Sequence, residues 1–132
     1  GMFGTTIEIL LVVPVRKRPE SKIKSSNACA VAISVEEHVH PSGSVKRVGV
    51  VNEVSIEPMP NGENHSVNMH SSWLISNLIK IEYSKTEPKF TMSFSTGESI
   101  RGYDSSTSFT WKAQTSLICK EITWLVLCLF QV

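Results

Sequence analysis

A chain of 132 residues with 41% hydrophobic and 19% charged residues has the composition of one globular domain, not of a disordered or collagen-like segment. A net charge of +1 excludes a global field that would steer nucleic acid or membranes, so any electrostatic function must come from local clustering. Three cysteines with no CxxC pair exclude a disulfide framework and fit a reducing compartment; all three sit in apolar runs, where a free thiol packs as a small hydrophobe.

Gly1 before Met2 reads as a tag remnant, and residues 1–6 as a flexible start to one domain over 1–132. Residues 7–15 (IEILLVVPV) are apolar and β-branched, which predicts a strand whose Pro14 marks an edge or bulge. The run is too short to span a bilayer, and its flanks lack a signal-peptide layout. Residues 16–27 are polar and basic, a loop. Residues 28–35 form a second strand, HVHPSGS a turn, and 45–56 a third extended segment. PMPNGENHSVN reads as a long loop with an Asn-Gly turn.

Residues 73–82 are ambiguous. Leu74, Leu78 and Ile81 fit a helix, whereas Ile79, Ile81 and Tyr83 alternate as in a strand. Phe90, Met92 and Phe94 alternate with Thr91, Ser93 and Ser95, a strand with one buried face. A turn-rich connection, GESIRGYDSS, leads to a strand at 108–113. Ser116 then caps a helix whose apolar residues Leu117, Ile118, Ile122, Leu125, Val126 and Leu129 recur at helical spacing. Ile122–Phe130 is apolar on nearly every side, so the helix should plug one end of a small β-barrel or sandwich, or dock a partner helix or a second copy. The fold class is therefore mostly β with a C-terminal α-helix.

The second half resembles a pleckstrin-homology domain. The resemblance rests on Trp73–Ile81 (WLISNLIKI), Phe90–Phe94 (FTMSF), Phe109–Ala113 (FTWKA) and Lys120–Leu125 (KEITWL), in the family's order of leader strand, alternating strand, strand ending near Ala, and helix with an aromatic. Trp124 stands where that helix carries its Trp. Over residues 7–130 the pattern is similar to the N-terminal domain of the exocyst subunit that docks vesicles on the plasma membrane, and to that of amisyn. The resemblance implies a cytoplasmic, pleckstrin-homology-like module at the inner plasma membrane, acting in vesicle tethering and exocytosis. It implies phosphatidylinositol 4,5-bisphosphate as lipid partner and a Rho-class small GTPase as a second partner.

The basic loop is the sharpest feature of the residues themselves. Arg16, Lys17, Arg18, Lys22 and Lys24 place five of thirteen cations within nine residues, against the single acid Glu20. Lys and Arg give charge-assisted hydrogen bonds to phosphate oxygens, so such a loop between strands can wrap a headgroup. Lys46 and Arg47 on the third strand are expected to line the same mouth. Pro19 directly after Arg18 departs from the family's strict basic spacing.

Other constellations carry less. His38 and His40 share a face if extended, but zinc needs three or four ligands and no cysteine is near. Cys119 beside Lys120 at a helix start could lower a thiol pKa and serve a small enzyme, yet no partner His or Asn stands at nucleophile spacing. The aromatics alternate with Ser and Thr rather than with Lys and Arg, which argues for core packing over base stacking and against nucleic acid. No phosphate-binding glycine loop or nucleophile elbow occurs. The expectation is a non-catalytic, membrane-targeting domain without a cofactor. The alternative is a protein-interaction module taking a peptide at a strand edge or beside the helix.

Overall fold

The computed structural model describes residues 4–17, 28–58, 60–62 and 65–130. Eight strands precede one helix: β1 (Gly4–Pro14), β2 (Arg16–Lys17), β3 (Ala28–Val39), β4 (Val45–Pro58), β5 (His65–Leu74), β6 (Leu78–Tyr83), β7 (Lys89–Ile100), β8 (Tyr103–Lys112) and α1 (Ser116–Phe130). A 3-10 turn, Ile75–Asn77, joins β5 to β6. The strands form two antiparallel four-stranded sheets, sheet A in the order β1-β3-β4-β5 and sheet B in the order β2-β8-β7-β6. The architecture is a β-sandwich capped by one helix, the fold class read from the element order.

Two continuous chain segments close opposite corners of the sandwich. β1 pairs with β3 up to Pro14, and two residues later Arg16 pairs with Lys112 of β8, so one run of chain belongs to both sheets. The other corner is β5, the 3-10 turn and β6. There Ile75 is 2% exposed and packs against Gly49 of β4, where a Cβ would stand 2.9 Å from the Ile75 Cδ1. Only a residue without a side chain allows that approach.

The core lies between the sheets and under the helix. Sheet A contributes Val13, Val31, Ile33 and Val51, and Val15 joins them from the link between β1 and β2; sheet B contributes Leu78, Phe90, Met92, Phe94 and Trp111; α1 contributes Cys119, Ile122 and Val126. Burying a side chain of this size stabilises by about 1.5–3 kcal/mol before entropy is counted. Strand alternation supplies the inward set. Phe90, Met92 and Phe94 face in, while Thr91 and Thr110 share a hydrogen bond of 2.9 Å on the outer face of sheet B.

Bulges re-phase strands whose apolar runs do not simply alternate. Leu10 is the extra residue between Ile9 and Leu11, which pair with the adjacent Ser34 and Ile33 of β3, and Ile7 and Ile9 face out while Val13 and Val15 face in. Ile79 is extra in β6 and is 58% exposed, so it does not share the inward face of Ile81 and Tyr83 expected from their spacing.

Several boundaries differ from the sequence reading. Gly4–Thr6 are paired with Glu37–Val39, so the strand starts inside the expected flexible start. His65–Leu74 is strand β5 and not the tail of a long loop. The connection after Ser95 is largely strand, closed by a two-residue turn in which Arg101 and Gly102 both have positive φ. Residues 73–82 resolve into the end of β5, the 3-10 corner and β6. The helix cap is Thr115, whose Oγ1 accepts the Ile118 N–H at 3.2 Å; Ser116 is the first helical residue.

Candidate functional site

The basic segment starts in β2. The backbone of Arg16 pairs with Lys112 and that of Lys17 with Trp111, which fixes where the segment leaves sheet B. Val15 donates its N–H to the Cys29 carbonyl at 3.1 Å, which fixes where the chain returns in β3. Arg16 is exposed. Arg18, Lys22 and Lys24 lie outside the described residues.

Lys46 and Arg47 lie away from Arg16 and Lys17, the described part of the segment. Lys46 pairs with His38 and Arg47 with Glu37, whereas the basic segment re-enters at Ala28, which pairs with Ile56. At about 3.3 Å per residue, the two regions are about 30 Å apart along β3. Lys46 and Arg47 instead border a hollow with Ile75, Leu129 and Phe130, at the end sealed by α1. Arg47 also donates from Nε to the Glu37 carboxylate at 3.1 Å. The strand that follows the hairpin carries its first residues to the end of sheet A away from the described root of the basic segment, Arg16 and Lys17.

Between the sheets, on the β5 side, opens a cleft of about 710 Å3. Its floor is aromatic: Trp73 lies with ring centroids 5.7 Å from Phe94 and 4.5 Å from Phe109. Its rim is polar, with Ser71, Ser72, Ser95, Thr96 and Thr107 beside His70. His70 is the bulged residue of β5, since Glu53 pairs with Ser71 and Val54 with Met69. At the back, Glu53 is 3% exposed and its Oε2 accepts the Trp111 Nε1–H at 2.8 Å. The polar rim follows from strand alternation around Phe94 and Phe109, but the cleft itself had no signal in the sequence, because it needs two sheets to meet.

Cys119 and Cys29 pack within the fold. Cys119 is fully buried, and burial pushes its thiol pKa up, partly offset by backbone hydrogen bonding. That is opposite to the lowered value a nucleophile at a helix start would need. Cys29 donates from Sγ to the Val15 carbonyl at 2.7 Å; burial and then the Glu53 charge raise its pKa, while Arg16 opposes them. Cys128 is exposed, against the expectation for an apolar run. Among the described residues no three His, Cys, Asp or Glu side chains gather into a metal-binding group, and no helix is long and apolar enough to cross a membrane.

Trp124, the helix aromatic, faces outward. It is 71% exposed, with Leu117, Leu127 and Phe130 also outward, while the inward positions of α1 are Cys119, Ile122, Thr123 and Val126. Trp111 of β8 is the fully buried Trp. No family model, curated protein or solved structure matches the chain.

Proposed function

We propose that this chain is a non-catalytic, anionic-membrane-targeting domain of the pleckstrin-homology-like kind. The observation that carries the reading is the placement of the basic segment's root. Arg16 and Lys17 sit on the strand that passes from one sheet to the other, and the chain re-enters at the opposite end of β3 from the helix-sealed hairpin. A polycationic segment anchored at both ends to rigid strands loses less freedom on meeting a headgroup than a free tail would. The element order, with a corner between β5 and β6, a final hairpin and a capping helix, supports the same reading. Arg16, Lys17, Arg18, Lys22 and Lys24 are its phosphate-binding residues; Lys46 and Arg47 drop out of the set. The bound state is peripheral on an anionic leaflet, with phosphatidylinositol 4,5-bisphosphate as the headgroup.

The test is co-sedimentation with phosphatidylcholine vesicles containing that lipid, for the unmodified chain and for the combined Lys17→Ala, Arg18→Ala, Lys22→Ala, Lys24→Ala variant. Each cation near an anionic leaflet contributes about 1 kcal/mol, so losing four should weaken binding by roughly three orders of magnitude at low salt. Equal binding by the variant, or none by the unmodified chain, would overturn the reading.

A second reading is favoured by the cleft. β5 is the edge strand of sheet A and borders the aromatic floor, an arrangement suited to an extended peptide that adds to the edge and inserts an apolar side chain.

A further inference from the structure

The outer face of sheet B carries a cross-strand row of cations. Arg16 of β2 pairs with Lys112 of β8, and Lys112 pairs with Lys89 of β7, so three consecutive strands present a basic residue at one level. Directly opposed residues of antiparallel strands project to the same face. Trp111 and Phe90, one residue away, point into the core, so this row points out. Arg16 and Lys112 are exposed, and the Lys89 side chain is 31% exposed.

Like charges directly opposite one another destabilise a sheet. One acid partly compensates the row: Glu87 accepts from Lys89 Nζ at 2.9 Å. Glu82, one level along at Thr91, is held by Lys80 at 3.4 Å. Among the described residues no carboxylate is paired with Arg16 or Lys112. The next level holds Thr110 and Thr91, whose hydroxyls share one hydrogen bond of 2.9 Å. Two hydroxyls that share one bond keep a second O–H free to donate.

We infer that Arg16, Lys112 and Lys89, with the Thr110–Thr91 hydroxyl pair, form a phosphate-binding site on the outer face of sheet B. Adjacent strands lie about 4.8 Å apart, so the outer Cα atoms of the row are about 10 Å apart. Long basic side chains cross half that span, and all three can converge on one phosphate group. Arg16 supplies a planar fork, the two lysines supply point charges, and the free hydroxyl completes the oxygen shell. The site is built from strand residues and does not include Arg18, Lys22 or Lys24. It shares only Arg16 with the proposed headgroup segment, and the arms of the test separate the two. The phosphate is either free or part of a lipid headgroup.

The experiment follows backbone amide shifts of the full chain during titration with inorganic phosphate, and in parallel co-sedimentation with phosphatidylcholine vesicles with and without phosphatidylinositol 4,5-bisphosphate. Three proteins are compared: the unmodified chain, an Arg16→Gln, Lys112→Gln variant, and the combined Lys17→Ala, Arg18→Ala, Lys22→Ala, Lys24→Ala variant. Both glutamines replace exposed side chains, and an unchanged amide spectrum away from sheet B verifies the fold. The expected result is shifts at Arg16, Lys89, Thr91, Thr110 and Lys112, and a roughly 30-fold loss of affinity in the glutamine variant. Shifts with inorganic phosphate identify a free-phosphate site. Vesicle binding without them, but lost in the glutamine variant, identifies a lipid-headgroup site. Undiminished binding of both ligands by the glutamine variant overturns the inference, as does the absence of binding to either ligand. Loss confined to the four-alanine variant supports the basic segment and rejects the row.

Discussion

Removing the indole N–H of Trp111 probes Glu53, the one buried acidic side chain among the described residues. Trp111 is fully buried and stacks 5.5 Å from Phe90 and 5.7 Å from Phe109, while its Nε1 donates to Glu53 at 2.8 Å. A hydrogen bond to a charged group contributes about 1.5–3 kcal/mol. Trp111→Phe removes that bond and leaves part of a ring unfilled, which adds about 1–2 kcal/mol of lost transfer and cavity energy. The sum is about 2.5–5 kcal/mol, a large share of the 5–15 kcal/mol that holds a domain of this class together. Glu53→Met removes the acceptor while keeping a side chain of similar length, so the two single variants each delete one half of the same bond. The assay is urea denaturation of the two single variants and the double variant. The cycle isolates the pairwise coupling, expected at about 1.5–3 kcal/mol. A coupling below about 0.5 kcal/mol would refute the view that the indole N–H stabilises the buried carboxylate.

Two further outcomes follow from the helix. Burial raises the Cys119 thiol pKa, so the folded state holds that proton more tightly than the unfolded state does. The contribution is fully present below the ordinary thiol pKa of about 8.5 and is lost as pH rises through the raised value. Denaturation at about pH 7 and about pH 10 should show Cys119→Ala losing less stability on alkalinisation than the unmodified chain; identical losses would contradict the assigned shift. Trp124→Ser should change stability by no more than about 0.5 kcal/mol, because the ring is 71% exposed; a cost above about 2 kcal/mol in a thermal melt would mean that the indole is packed as a core residue.

Where side-chain pattern and burial coincide locally, the sequence alone determined the structure. Phe90, Met92 and Phe94 against Thr91, Ser93 and Ser95 specify a strand with one apolar face, because a period of two admits no other regular element. The last segment specifies a helix through its spacing. The order of strands followed by a helix then implies a sandwich with one sealed end. The sequence also identified the basic segment at 16–24 as the densest charge in the chain.

Tertiary structure decided everything that depends on which strands meet. β5 reads HSVNMHSSWL, too polar to announce a strand, and is held by its ladder to β4 rather than by its own pattern. Trp73–Tyr83 satisfied two periodicities because the chain turns a corner between the sheets at Ile75–Asn77, and no single period describes a corner. The length of the β3–β4 hairpin carries Lys46 and Arg47 to the helix end, away from Arg16 and Lys17. Lys112 and Lys89, unremarked as isolated cations, become neighbours of Arg16 through register. A local pattern records which face of an element is buried. Which charges share a surface is set by strand pairing, and that is fixed by the cooperative packing of two sheets and a helix around Trp111.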